Sequence, residues 1–208
     1  VELRTIQTPV TLRNEDNEES RTIEGYALKF NTRSEPLADN YFIETLDRSC
    51  LDDTDMSNVV VTFNHDQSNV LGRTGVNLDL YVDDTGLRFK ANLPNTTLAN
   101  DVLENIRAGI VSQCSFAFTL SDDSNADEWK RVNDDGVQFE RTIRKIDKLY
   151  DVSVVTTPAY SDTNVSVDAR SMDKVKELQT DSLNSVREQQ RKDDLRKLNI
   201  ELLKEVTD

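Results

Sequence analysis

Short runs in which apolar and polar residues alternate, each closed by a cluster of Asp, Asn, Ser or Gly, recur from Thr5 to Val155. A period of two marks β-strands that bury one face, so most of this chain is committed to sheets. "TIQTPVTLR" and "RTIEGYALKF" read as strands joined by the polar turn "NEDNEES". "NTRSEPLADN" is a loop, and "YFIETLDRSCLDD" holds a strand followed by a short helical turn. "VNLDLYVDDTGLRFKANL" is a hairpin with Asp84, Thr85 and Gly86 in the turn, and "EWKRVNDDGVQFERTIRKI" is a second around Asp134, Asp135 and Gly136. "MSNVVVTFNHD" and "KLYDVSVVTTPAY" are buried strands, the latter stopped by Pro158. Two segments break the pattern. In "PNTTLANDVLENIRAG", Leu98, Val102 and Ile106 recur on one helical face, with Thr96 or Thr97 to cap its start and Gly109 at its end. From about Met172 there is no Gly or Pro, and Leu195, Leu198, Leu202 and Val206 keep helical spacing among many charges. The expectation is a mainly β fold with α (α+β): one domain over residues 1–170, carrying a packed helix, and a charged amphipathic helical tail over 171–208.

The chain has 208 residues, of which 36% are hydrophobic and 31% charged, which is polar for one compact domain and fits an extended or solvated part. Its 39 acidic and 25 basic residues give a net charge of −14, which argues against nucleic-acid partners and anionic membranes. Cys50 and Cys114 lie far apart without metal-ligand spacing. With no signal peptide and no apolar run near ~18 residues, the reading is a soluble protein of a reducing compartment, without a disulfide framework. His65 is the one histidine, so a two-histidine metal site is excluded. "DDSNADE" (Asp122–Glu128) lacks the glycine and distant glutamate of a calcium loop and reads as a solvated loop. Asp83 and Asp84 belong to a turn. No metal and no cofactor is expected.

"GIVSQCSFAF" (Gly109–Phe118) sets two serines and a cysteine in a buried strand. Alternation places Ser112, Cys114, Phe116 and Phe118 on one side, and the phenylalanines mark it as core, so Cys114 reads as a small buried hydrophobe. Ser115 falls on the other side, among small or polar neighbours, where a substrate approaches. A serine needs a general base to become a nucleophile. Imidazole is the side chain whose ordinary pKa lies near neutrality, and His65 ends the run "VVVTFNH". A strand-end histidine with one satisfied hydrogen bond is the competing reading. Asp151, in "LYDVSVV", is a carboxylate amid large apolar residues and must be paired. Either His65 or a structural Arg or Lys answers that need, and these residues alone do not choose.

"TIEGYALKFNTRSEPL", "FNHDQSNVLGRTG", "DDTGLRFKANLPNT", "SQCSFAF" and "LYDVSVVTTPAYSDT" occur in an order and at spacings that resemble the prohead proteases of tailed bacteriophages. These are capsid-maturation serine proteases of the herpesvirus assemblin-like superfamily, and the resemblance runs from about Thr22 to Arg170. It implies an assemblin-like β-barrel core with flanking helices. It also implies catalytic roles: His65, in Phe-Asn-His-Asp, as general base, Ser115, before Phe, as nucleophile, and Asp151, before Val-Ser, as the acid that orients His65. Gln113 and Cys114 stand where family members often have Gly and Met, a change that narrows the cleft and keeps the nucleophile. Herpesvirus relatives carry oxyanion-stabilising arginines soon after the third triad position, whereas here no Arg follows Asp151 until Arg170. Arg73, in "LGRT", is the substitute candidate, beside backbone N–H groups.

The function implied is a serine endopeptidase that cleaves scaffold protein, or the scaffolding segment of the major capsid protein, and itself, inside the prohead in the host cytoplasm. Pairing into a homodimer is a further implication from herpesvirus relatives. No nucleic-acid or membrane partner is expected. The tail is either a solvated helix or a segment that docks on helical scaffold and carries the protease into the shell. The competing function is an inactive structural or scaffold-associated protein of the prohead with the same fold. A hydrolase built on Cys114 is a third, disfavoured by the face on which that residue falls.

Overall fold

The computed structural model describes residues 1–6, 9–12, 20–38, 40–134, 136–156 and 169–207. Along the chain run β1 (Glu2–Ile6), β2 (Thr11–Leu12), β3 (Thr22–Lys29), β4 (Phe42–Leu46), β5 (Val60–Phe63), β6 (Asp66–Arg73), β7 (Leu78–Val82) and β8 (Gly86–Asn92). They are followed by α1 (Thr97–Arg107), β9 (Gln113–Leu120), β10 (Asp127–Asp134), β11 (Val137–Ile143), β12 (Ile146–Val155) and α2 (Ala169–Thr207). The chain divides into two units, Val1–Asp168 and Ala169–Asp208. The expected polar turn around 14–19, Asp135 of the second hairpin, and the Pro158 stop lie outside the described residues, as do the side chains of Leu198, Leu202 and Val206.

The strands of the first unit form three sheets, ordered β1-β9-β12-β5-β6, β10-β11-β4 and β2-β3-β8-β7. The mainly β, α+β expectation holds, but the barrel does not. A barrel requires the first and last strands of one sheet to pair, and among the described residues each sheet keeps two open edges. The core lies instead between elements of separate sheets. Ile23, Ala27 and Leu28 of β3 and Leu87 and Phe89 of β8 cluster with Cys114, Phe116 and Phe118 of β9 and with Val152 and Val154 of β12. One helix of this unit joins that core. α1 begins at Thr96, whose hydroxyl accepts the Ala99 N–H at 3.2 Å, and buries Ala99, Val102, Leu103 and Ile106. Gly109 follows its end at φ +70°. Gly86 is required where β8 crosses β3, because a Cβ there would stand 2.0 Å from the Leu28 carbonyl oxygen.

α2 is a continuous helix of 39 residues, about 58 Å long at 1.5 Å per residue. Leu183, Val186 and Leu195 are exposed on it.

Asp127 corrects the reading of Asp122–Glu128 as wholly solvated: it is buried at the start of β10 and belongs to an ionic network joining the five-stranded and three-stranded sheets. Arg4 of β1 donates from Nε and Nη2 to the two oxygens of Glu44, at 2.6 and 2.9 Å. Arg141 of β11, fully enclosed, reaches Glu2 at 2.6 and 2.9 Å, Glu44 at 2.9 Å and Asp127 at 3.0 Å. Trp129 Nε1 donates to the same Asp127 oxygen at 2.9 Å. Burial alone would raise the pKa of Glu44, but the charges and hydrogen bonds of Arg4 and Arg141 outweigh it and hold the carboxyl below its ordinary value. Removing one member strands the others, so Arg141→Leu is expected to cost about 3–5 kcal/mol in urea unfolding. Because Glu44 ionises more readily folded than unfolded, its pairing stabilises the fold above about pH 4.3, and the benefit is lost as pH falls through the lower folded value. The stability deficit of Arg141→Leu against wild type in urea unfolding should therefore narrow as the pH is lowered through that range.

Candidate active site

The site is built on β9, on its neighbour β12, and on the β5–β6 hairpin that follows β12 in the sheet. Cys114, Phe116 and Phe118 point into the core, with the two rings stacked 5.3 Å apart. Ser115 points the other way, opposite Ser153 of β12 and Thr5 of β1 in the sheet register. That face is not open at the serine, contrary to the expectation from alternation: Ser115 is 0% exposed. Cys114 is equally enclosed, and burial pushes its thiol well above the ordinary range, so it does not supply a thiolate. Brief treatment of the native protein with iodoacetamide is expected to leave peptidase activity unchanged; loss of activity with one carbamidomethyl group on Cys114 would reopen the thiol reading.

Asp151 reaches the same face through a backbone irregularity. Leu149 pairs with Phe118 and sits in the core, whereas Asp151 pairs with Ala117, so β12 carries one extra residue, Tyr150, at that point. Without the bulge, residues two apart would share a face, and Asp151 would follow Leu149 into the core. The shift sets Asp151 and Ser153 beside Ser115, and returns Val152 and Val154 to the core.

His65 comes from the turn between β5 and β6. Phe63 pairs with Asp66, leaving Asn64 and His65 as a two-residue loop, with φ of +55° and +58°. Positive φ at both central residues is the demand of a type I′ turn, which Asn meets readily and histidine less so. The loop is tied to β12: the Asn64 N–H donates to the Val154 carbonyl at 2.9 Å, and the His65 N–H donates to Ser153 Oγ at 2.8 Å. The Asn64 side-chain oxygen accepts the Thr156 N–H at 3.1 Å.

These elements bring Ser115, His65 and Asp151 together. His65 Nδ1 lies 2.9 Å from Asp151 Oδ1, and Nε2 lies 2.6 Å from Ser115 Oγ. An ionised carboxylate only accepts, which puts the ring proton on Nδ1 and leaves the Nε2 lone pair facing the serine hydroxyl. The Arg4 carbonyl oxygen, 2.9 Å from Ser115 Oγ, is a second acceptor for the one hydroxyl proton. The Asp151 carboxylate is buried, and its charge partner among the described residues is the imidazole rather than an Arg or Lys. The ring keeps 18% of its surface exposed, so solvent reaches the site on the histidine side.

A sequence model of the caudovirus prohead serine proteases matches residues 8–178. The chain belongs to this family. The match extends past both ends of the stretch whose motifs resemble it, and membership indicates a serine protease of phage capsid maturation, acting at the prohead within the host cell. Searches of curated proteins and of solved structures return no match.

Arg73, the oxyanion candidate, lies elsewhere in the prohead protease. Arg73 pairs with Val60 at the end of the hairpin away from His65, about 10 Å along the strand, and its guanidinium donates to Asn58 Oδ1 at 3.1 Å. The structure does not bring it to Ser115. Among the described residues, no cluster of His, Cys, Asp and Glu is arranged to hold a metal, and no helix is long and apolar enough to cross a membrane. Ser153 is the site residue that the sequence reading passed over; its signal was its position two residues after Asp151, on the same face of the strand.

Proposed function

We propose that the protein is a serine endopeptidase of the prohead, with Ser115 as nucleophile, His65 as general base and Asp151 as the acid that orients it. The observation that supports this most is the chain of two short contacts through His65, at 2.6 and 2.9 Å. Ser115 Oγ attacks the peptide carbonyl carbon while Nε2 takes its proton, and the imidazolium gives that proton to the leaving amine. Water then attacks the acyl carbon as Nε2 takes its proton, and the imidazolium returns that proton to Ser115 Oγ as the ester bond breaks and the carboxylic acid product leaves. Backbone N–H groups are the donors for the oxyanion. The substrates are scaffold protein or the scaffolding segment of the capsid protein, and the chain itself. Removing scaffold in this way makes assembly irreversible and frees volume for DNA, and a net charge of −14 keeps the enzyme off the incoming genome.

One observation favours a second reading. Ser115 has no exposed surface, and its hydroxyl also meets the Arg4 carbonyl, as suits an inactive structural protein of the prohead. An intact-mass time course decides between them, with wild type, Ser115→Ala and His65→Ala each incubated alone and with candidate scaffold. Fragments from wild type only are the expected result. Three inert proteins would leave the structural reading.

A further inference from the structure

His65 holds a backbone conformation that a side chain with a Cβ adopts reluctantly, at φ +58° directly after Asn64 at +55°. Such a conformation persists only where the surroundings enforce it. The hairpin's own register stops at Phe63 and Asp66, so it leaves the amides of the two loop residues unpaired within β5 and β6. Both are taken up by β12, one by a main-chain carbonyl and the other by a side chain. The side chain is Ser153: its Oγ accepts the His65 N–H at 2.8 Å and donates its own proton to the Thr62 carbonyl at 3.2 Å. Ser153 is fully enclosed, where Ala or Val would be ordinary choices for packing. The direction of the His65 Cα–Cβ bond follows from φ and ψ at that residue. An acceptor for its N–H therefore sets where the ring can lie.

We propose that Ser153 is a positioning residue of this active site, whose hydroxyl holds the His65 backbone in the left-handed conformation that aims the imidazole from Asp151 to Ser115. The same strand then fixes His65 twice, through the ring by Asp151 and through the main chain by Ser153. The inference deepens the reading of His65 as base and rests on it for its effect on rate, but not for its effect on the ring itself.

The test compares Ser153→Ala with Ser153→Thr, which keeps the hydroxyl and adds a methyl. Reaction of Ser115 with a fluorophosphonate probe, in which Oγ displaces fluoride from phosphorus, reads nucleophile activation without a known substrate. Ser153→Ala is expected to slow labelling by about tenfold to a hundredfold, the effect of a displaced catalytic group. Ser153→Thr stays within roughly threefold of wild type by the same reasoning. A role in packing alone gives the opposite order, because alanine fits the space and threonine crowds it. Since His65 is the one histidine, proton NMR of the imidazole is unambiguous. The Nδ1 proton signal should persist in wild type and Ser153→Thr, and broaden or vanish in Ser153→Ala. Should Ser153→Ala fail to fold, as judged by circular dichroism, Ser153→Cys takes its place, filling the same space with a weak acceptor. Equal labelling rates with an unchanged Nδ1 signal, or alanine outperforming threonine, would overturn the proposal. If wild type is not labelled at all, the protease reading fails, and the NMR comparison still decides the role of Ser153.

Discussion

Alanine at Ser115 is expected to abolish cleavage of the proposed scaffold substrate, and alanine at His65 to do so almost as completely. The expected loss in kcat is on the order of 10⁴ to 10⁶ for each, or about 5–8 kcal/mol of transition-state stabilisation. In the proposed mechanism the two residues act as one device. Without Oγ there is no atom to form the acyl bond, and without Nε2 the hydroxyl keeps its proton and remains a poor nucleophile. The double variant is therefore no slower than either single one, since nothing is left for the second change to remove. Ser115→Ala deletes only an oxygen from a fully enclosed position, so circular dichroism and the urea midpoint should stay close to wild type. Single-turnover cleavage, measured with enzyme in excess over scaffold, separates this loss from any change in product release. Wild-type rates in Ser115→Ala would exclude the nucleophile outright.

Local pattern carried much of this fold, and long-range geometry supplied the rest. The hairpin at Asp84–Gly86 was legible because Asp83 accepts the Thr85 and Gly86 N–H groups within four residues of chain. The cap at Thr96 and the buried Val102 and Ile106 of α1 were legible for the same reason. Open sheets instead of a barrel were not, because closure depends on which edge strands meet, and alternation along one strand says nothing of that. Glu44 and Arg141 fell at polar positions of expected strands, Asp127 in an expected solvated loop, and Glu2 and Arg4 ahead of the first expected strand. They are buried because each finds partners up to 139 residues away in sequence, and no local signal encodes such pairing. At the site, residue types drew attention to Ser115, His65 and Asp151, but not to how they meet. The extra residue at Tyr150 turns Asp151 out of the core, and the left-handed turn at Asn64 and His65 carries the ring over the strand. Neither changes the composition of the segment in which it occurs. Ser153 went unread because a lone serine in "DVSVV" makes sense only once the His65 N–H is seen above it.

Asparagine at Asp151 is expected to cut kcat by about 10⁴ while KM changes little. The substitution is close to isosteric, and it leaves no ionised group unpaired in a buried site, so the fold should survive it. Its consequences are electronic. An asparagine that presents its NH₂ group to Nδ1 forces that nitrogen to accept, moves the ring proton to Nε2, and leaves no lone pair for the Ser115 hydroxyl. One that presents its oxygen keeps the tautomer but loses the negative charge that stabilises the imidazolium as it forms. Either outcome slows the chemical step and leaves the binding surface as it was, which is why the effect falls on kcat. It also separates the two residues that β12 supplies. Asp151→Asn should alter or remove the Nδ1 proton signal even with the His65 backbone held in place, whereas Ser153→Thr should preserve it. Added to His65→Ala, Asp151→Asn should bring no further loss of rate, because the carboxylate works only through the ring. A full 10⁴-fold additional loss in the double variant would mean that Asp151 acts on substrate directly. Wild-type kcat in Asp151→Asn would reduce the working unit to Ser115 and His65, with Asp151 left as a buried tether for the imidazole.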